Sequence, residues 1–573
     1  MKLILTLLFC SFYASVCSAQ VNTAPVFTHA DTLRGKIGPE RAWWNVLRYD
    51  LTVKPDYTAK TIAGTNIITY VTTKANGKTQ MQIDLKNPLL IDSIILHTGK
   101  IDTAAKEMIK NSGGQKLTYT HEGDVWHVQL PEQLKSTTHQ ISIWYHGQVH
   151  EAIKPPWDGG WSFKQDSLGR PWMTVTCQGA VGASVWYPCK DHQSDEPDKG
   201  ASLTMIVPDT LVAVANGRLQ FKKENGDSTT TYKWAVINPI SNYCLIPYIG
   251  KYVSFDEVYD GEKGKLDLGY WVLDYNLEKA KAYMPDEVHH MLKSFEYWMG
   301  PYPFYEDSYK LIDAPHSGME HQSAVAYGNH YRPGYGGRDD SGTGWGKKWD
   351  FIIVHESGHE WFGNNITTKD LADMWVHEGF TNYSETLYTE YRFGEDAGNA
   401  YNAGIRQRIR NDVPIIPAYD VNAQGSGDMY PKASNMIHAI RHSIDNDNVF
   451  RQILRGLNKT FYHQTVTTKQ IEDYISKASG YNYGKVFDQY LRTTQIPNLQ
   501  FYFSQDHKTL SYRWTNCVKG FDLPLILKDD SAVFKITPGE EWKSTQLSEK
   551  QASLFNKDAI IAMYYITADE VKP

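Results

Sequence analysis

The stretch Val354-His355-Glu356-Ser357-Gly358-His359-Glu360-Trp361-Phe362-Gly363-Asn364, continued by Trp375-Val376-His377-Glu378-Gly379-Phe380, decides how the rest of the chain is read. His355 and His359 are four apart, so a helix turning about 100° per residue carries both imidazoles on one face. Paired neutral imidazoles suit Zn²⁺, and a catalytic zinc takes three protein ligands plus a water. Glu356 lies about 100° round from His355, where it can reach that water as a base without holding the metal. Composition alone gives about 0.03 chance occurrences of H-E-x-x-H in a chain of this length, so the motif by itself is only suggestive.

The third ligand sets the class. A third histidine six residues after the second is excluded, because position 365 is Asn. Glu378 follows His359 by 19 positions, and a helix–turn–helix of that length can return a carboxylate to the paired histidines. Fixing it lowers the chance rate to about 0.001. Glu385 lies two turns further along the same face. It is either an acceptor for a ligand histidine or an exposed helix carboxylate. Gly358 costs about 1 kcal/mol against alanine in a helix, a cost that close packing near the metal would explain.

Outward from this segment the periodicity changes twice. Between about 45 and 260 apolar residues alternate with polar ones, as in Tyr49/Leu51/Val53 and Met81/Ile83/Leu85, with Gly, Asn, Asp and Pro between runs; this predicts a large antiparallel β domain. Segments 278–299, 347–363, 370–392, 430–445 and 467–478 have helical length and spacing. Alternation returns after Pro497, as in Leu499/Phe501/Phe503, and predicts a small β-sandwich. The glycine-rich stretch 328–346 reads as a flexible loop, either a lid near the cleft or a plain surface insertion.

The whole chain has 573 residues, enough for three domains, with 41% apolar and 21% charged residues and a formal charge of −7. This is ordinary globular composition, and without runs of like charge it gives no reason to expect nucleic acid as a partner. Residues 1–19 combine an early Lys2, a short apolar run and small residues before Gln20. That pattern predicts a cleaved signal peptide, an exported protein that is periplasmic or secreted, and no membrane span in the mature chain. Cys177, Cys189, Cys244 and Cys517 would remain; Cys177–Cys189 is the nearest pair for a disulfide, with buried thiols as the equal alternative. The sequons at Asn365, Asn382 and Asn458 are read as chance matches.

At His355, Glu356, His359 and Glu378 the sequence resembles the gluzincin zinc aminopeptidase family, of aminopeptidase N and leukotriene hydrolase type, whose pattern is H-E-x-x-H-x₁₈-E. Ser317-Gly318-Met319-Glu320-His321 is similar to that family's G-x-M-E-N, with Ser317 and His321 departing from it. The resemblance implies that Gly318 and Met319 help bind substrate and that Glu320 holds its free α-ammonium. Tyr430-Pro431-Lys432-Ala433 resembles Y-x-K-G, which makes Tyr430 the donor to the oxyanion. Gln178, after Thr176 and Cys177, resembles the position that lends an amide or carboxylate to the amine site, and Thr176 departs from the pattern.

The implied fold is multidomain α+β: a signal peptide at 1–19, an N-terminal β domain at 20–265, a thermolysin-like, mainly helical catalytic domain at 266–495 and a C-terminal β-sandwich at 496–573, with no C-terminal helical-repeat domain. The implied function is hydrolysis of the N-terminal bond of peptides that have a free N-terminus, by water activated at one Zn²⁺ per chain with Glu356 as general base. The alternatives are epoxide hydrolysis at the same zinc, or a catalytically retired peptide-binding relative.

Overall fold

The computed structural model describes residues 26–73, 79–97, 114–131, 138–177, 181–529 and 532–572. The expected signal peptide and Gln178 lie outside the described residues.

The alternating run Tyr49/Leu51/Val53 lies in the strand Trp44–Asp56, with all three side chains buried. That strand sits inside an eight-stranded sheet, between Thr61–Thr72 and Ala201–Pro208. The pair with Thr61–Thr72 is antiparallel, as alternation and a short turn demand. The pair with Ala201–Pro208 is parallel, Tyr49 opposite Ala201, because the chain returns to that edge through a long excursion rather than a hairpin. A four-stranded sheet runs Val212–Val214, Tyr248–Gly250, Pro171–Thr176 and Gly160–Gln165, and its Tyr248 hydroxyl donates to the Ala324 carbonyl at 2.8 Å.

The expected boundary at 265/266 does not coincide with a loop. It falls inside the strand Gly264–Leu273, which forms a hairpin with Tyr252–Gly261, Tyr252 opposite Leu273. The same strand pairs in parallel with Tyr309–Asp313 after the helix Leu277–Met299. Ladder hydrogen bonds therefore tie residues from 252 onward to the catalytic sheet. Its order ends Tyr309–Asp313, Val325–Tyr327, Gly318–Met319, so Gly318–Met319 is an edge strand with one side unpaired.

The helices follow the apolar spacing, with one informative shortening. The segment expected as 347–363 is helical only over Phe351–Gly358, with His359 at the cap in αR conformation; the chain then turns tightly into Ile366–Thr368. Asp350 starts the helix, accepting from Ile353 N at 3.1 Å. Helices Trp375–Phe393, Pro431–Ile444 and Thr468–Ser479 stand near their expected places. Glu395–Gly404, Asp447–Thr460 and Gly484–Arg492 were not foreseen.

From Asn498 a four-stranded sheet and the hairpin Leu525–Lys528/Val533–Ile536 form, joined by short helices Glu549–Leu554 and Lys557–Met563. Their apolar side chains, including Leu499, Trp514, Phe521 and Tyr564, share one core with the catalytic helices. Arg406 reaches across to the carbonyls of Ile561 and Ala562. Tyr490 donates to the Tyr565 carbonyl at 2.8 Å.

All four described cysteines are free thiols, so the Cys177–Cys189 disulfide is not formed. The three sequon asparagines are buried, and Asn365 donates to Asn458 at 3.0 Å. That is no position for a glycan.

Candidate metal centre and its cleft

The helix Phe351–Gly358 packs on Trp375–Phe393, and Gly358 is what allows the approach. A Cβ there would lie 2.6 Å from Ser384 Oγ and 3.1 Å from Thr381 Cγ2. The consequence is that Glu378, in the first turn of the second helix, reaches the two histidines on the first. Its Oε2 lies 3.4 Å from His359 Nε2 and 3.8 Å from His355 Nε2.

The outer nitrogens of both rings are already engaged. His355 Nδ1 is 2.7 Å from Glu385 Oε1; His359 Nδ1 is 3.1 Å from both the Phe362 carbonyl and Thr381 Oγ1. Acceptors at Nδ1 fix the proton there and turn the Nε2 lone pairs inward. Glu378 Oε2, buried, has no hydrogen-bond donor among the described residues. Two lone pairs and a carboxylate oxygen thus converge on one point. Tetrahedral zinc with bonds of about 2.0–2.2 Å needs ligand atoms roughly 3.3–3.6 Å apart, close to the spacing seen. The residues fit a zinc ion.

Glu356, His355 and His359 also place ligand-type atoms within 4.8 Å of one another, so two carboxylates flank the pair. Glu378, with both imidazoles near ligand spacing, is the one placed to complete the set. The surrounding charge supports a cation. Burial alone would suppress a charged His359, but Glu378, Glu320 and Glu356 outweigh it and raise its pKa to about 10. Burial pushes Glu356 up to about 7; His355 opposes this and Glu320 adds to it.

The cleft above these residues has a volume of about 330 Å³. The edge strand Gly318–Met319 forms one wall, and Gly318 lies against the base: a Cβ there would sit 2.8 Å from Glu356 Oε1. Glu320 is 6% exposed, accepts from Tyr243 OH at 3.1 Å, and forms no ion pair with any described Lys or Arg. Its backbone carbonyl is held by Asn364 Nδ2 at 2.9 Å. Tyr430, immediately before the helix Pro431–Ile444, also lines the cleft, its ring 6.1 Å from that of His355.

Met319, Gly318, Glu320, Glu356 and Tyr430 therefore share the cleft with His355, His359 and Glu378. His321 does not. It is fully buried and turned into the β domain, its Nδ1 bonded to Tyr248 OH, so it cannot take the substrate-positioning place that Asn has in the resembled motif. Glu385 is buried beneath His355 rather than exposed; it also accepts from Asn382 Nδ2 at 2.8 Å and Tyr401 OH at 2.5 Å. Sequence reasoning missed Tyr243, Asn382 and Tyr401. Asn382, three residues before Glu385 on one helix, could have been found by spacing; the two tyrosines come from distant segments with no local signal. The glycine-rich stretch is no plain surface insertion: Tyr335 and Asp340 from it line the cleft, and Asn329 cross-links it to Gly334 and Gly336.

The fold, the buried ligand triad and the flanking carboxylate define a zinc metallopeptidase, a hydrolase whose class is that of the metallo-aminopeptidases. Residues 45–244 match the peptidase M1 N-terminal domain and residues 286–490 the peptidase family M1 domain, together well over half of the chain. The chain belongs to peptidase family M1. It is 22% identical to a leukotriene A-4 hydrolase of Xenopus laevis over 76% of its own length and 68% of the relative's. It is 21% identical to aminopeptidase M1 of Arabidopsis thaliana over 78% and 50% of the two chains, spanning half of that longer protein. The M1 zinc metallopeptidase of Deinococcus radiodurans has the same fold, with a TM-score of 0.64 at 20% identity, covering 79% of this chain and 95% of that one. A variant of that enzyme was solved with a Tyr-Ser-Ala substrate bound.

Proposed function

We propose that this protein removes the N-terminal residue from peptides with a free α-amine. The observation that carries the reading is Glu320, a carboxylate buried in the same cleft as the metal ligands and without a cationic partner among the described residues. A buried charge left unpaired is costly, and a substrate ammonium would neutralise it. Glu320 thereby fixes the peptide's first residue, and the edge of Gly318–Met319 offers backbone groups to an extended chain. Zinc, held by His355, His359 and Glu378, would supply a Lewis acid that polarises the scissile carbonyl and acidifies water. Glu356 takes the proton of the attacking water and returns it to the leaving amine. Tyr430 offers its hydroxyl to the oxygen on which negative charge develops. A retired, merely binding role is disfavoured because both histidines, Glu378 and Glu356 are all present and brought together.

The decisive experiment replaces Glu320 with Ala and compares aminoacyl anilides bearing a free amine with N-acetylated versions. Losing the partner of a buried charge costs about 2–4 kcal/mol, so kcat/KM for free-amine substrates should fall about 30- to 1000-fold. An equal loss on blocked substrates would remove the anchoring role. We further propose that residues 1–19 direct export, supported by their charge and apolar pattern; the purified native protein should begin near Gln20. Among the described residues, no helix is long and apolar enough to cross a membrane.

A further inference from the structure

A second cavity, of about 520 Å³, opens beside the residues that lead into the edge strand Gly318–Met319, and it shares Ser317 and Tyr335 with the catalytic cleft. The two differ in charge. The cleft is walled mainly by carboxylates, and its Arg408 is already paired with Asp340. The second cavity is lined by Lys164, His316, His330, Arg332 and Arg338, and by no Asp or Glu among the described residues. Lys164, Arg332 and Arg338 are exposed and form no ion pair among the described residues. His316 is the exception in burial: it is 7% exposed and has a ring nitrogen without a hydrogen-bond partner.

The loop that carries His330, Arg332 and Arg338 is held in shape. Asn329 donates to the carbonyls of Arg332 and Gly334 at 2.8 Å and accepts from Gly336 N at 2.7 Å. Tyr335 and Arg338 exchange backbone hydrogen bonds at 2.9 and 3.1 Å, and the Arg338 guanidinium stands 5.6 Å from the centre of the Tyr335 ring. Lys164 comes from the β domain, on the strand Gly160–Gln165. The strand order then sets the path of a substrate. Glu320 directly follows Gly318–Met319, and Gly318 lies against Glu356. A peptide with its ammonium at Glu320 that runs back along this unpaired edge passes Gly318 and comes to Ser317, where the two cavities join. Its side chains alternate in direction, so one of the first two residues beyond the scissile bond turns toward the basic cavity.

We propose that this cavity is a subsite for an acidic side chain, Asp or Glu, carried by one of the first two residues after the scissile bond. The proposal rests on the aminopeptidase reading. A planar guanidinium binds a carboxylate by two parallel hydrogen bonds, whereas a side-chain amide offers it one neutral oxygen. The carboxylates along the rest of the cleft repel the same side chain, which sharpens the choice of this cavity. The exposure of Lys164, Arg332 and Arg338 limits the gain to a few-fold rather than thousands.

The test uses tetrapeptide amides, so that no terminal carboxylate is present: Leu-Glu-Ala-Ala and Leu-Ala-Glu-Ala, each against its Gln counterpart. Leucine anilide, which has no residue beyond the scissile bond, is the reference. The wild type should show KM at least about threefold lower for Glu than for Gln at one of the two positions. The double variant Arg332→Gln, Arg338→Gln should erase that ratio while anilide kinetics stay within about twofold, and the double Lys variant should keep part of it. Calorimetric binding of the same peptides to zinc-loaded Glu356→Gln, with and without the two Gln substitutions, reads the subsite without turnover. Loss of the aminopeptidase reading would show on the anilide, and loss of this inference on the Glu and Gln pairs. Inorganic phosphate tests the other source of an oxyanion. Equal affinity for Glu and Gln at both positions, a preference that survives the arginine substitutions, or phosphate binding in the cavity with Glu and Gln peptides bound alike, would overturn the proposal.

Discussion

Glu385 offers the most quantitative perturbation. Three donors converge on its carboxylate: His355 Nδ1 at 2.7 Å, Asn382 Nδ2 at 2.8 Å and Tyr401 OH at 2.5 Å. Removing that carboxylate frees the His355 ring to rotate and to place its proton on Nε2, the nitrogen facing Glu378. Loss of such a partner weakens metal binding 10- to 100-fold, or about 1.4–2.7 kcal/mol. Glu385→Ala should fall in that range. Glu385→Gln keeps one oxygen for His355 and Asn382 but turns an amide NH₂ toward the Tyr401 hydroxyl, so its loss should be smaller, below about tenfold. The other ligand provides an internal control. His359 Nδ1 has both Thr381 Oγ1 and the Phe362 carbonyl within 3.1 Å. Thr381→Val leaves the carbonyl in place and should cost no more than about threefold. Zinc dissociation constants come from competition against a chromogenic chelator, with near-ultraviolet circular dichroism confirming that each variant is folded. If Glu385→Ala binds zinc as tightly as wild type, or Thr381→Val loses as much, the hydrogen bonds at Nδ1 do not set the ligand geometry.

Three further outcomes follow from the same coordinates. Glu356→Gln should abolish hydrolysis of aminoacyl anilides while one zinc per chain stays bound by metal analysis; retained turnover would remove it as the base. Gly318→Ala would put a methyl 2.7 Å from Ile352 Cγ2 and 2.8 Å from Glu356 Oε1; strain of about 1–3 kcal/mol should displace the base and lower kcat at least about tenfold, and an unchanged kcat would show that the strand can yield. His316, 7% exposed, has its pKa lowered by burial to about 4. Its native neutral form favours folding above the unfolded value of 6.5, and that contribution is lost as pH falls toward 4. The stability advantage of wild type over His316→Gln should shrink by up to about 3 kcal/mol between pH 7 and 4, read from urea unfolding at the two pH values. A pH-independent difference would mean that the ring is not buried neutral.

Legibility in the sequence divided along a physical line. The ligands were readable because a helix converts a spacing of four into a shared face, and one further helix brings a carboxylate back at a fixed offset. The sheet to which the strand around 265 belongs was not legible, because a hairpin looks alike whether its outer edge joins the β domain or the catalytic sheet; only the parallel pairing of Gly269 with Lys310 shows which. The helix around His355 was drawn too long because the run from Glu360 to Asn364 keeps apolar residues while the backbone leaves the helix. Arg338 and Tyr401 gave no sign, since nothing in local pattern records that a segment will fold against a site formed by others. His321 shows the opposite limit: its motif position was clear, but its orientation depended on Tyr248, over seventy residues earlier.

The apolar core that runs unbroken from the catalytic helices into the C-terminal strands has a thermodynamic consequence. Leu499, Trp514 and Phe521 are buried in the same core as Met436, Ile437 and Ile440 of the helix that follows Tyr430, and Arg406 ties the segment just before Arg408 to the last helix. The two regions cannot lose structure separately without exposing the same surface, so heat should melt them as one cooperative unit. The β-rich end is then a structural partner of the active site, and damage far from the zinc in sequence would be felt as disorder in the wall of the cleft.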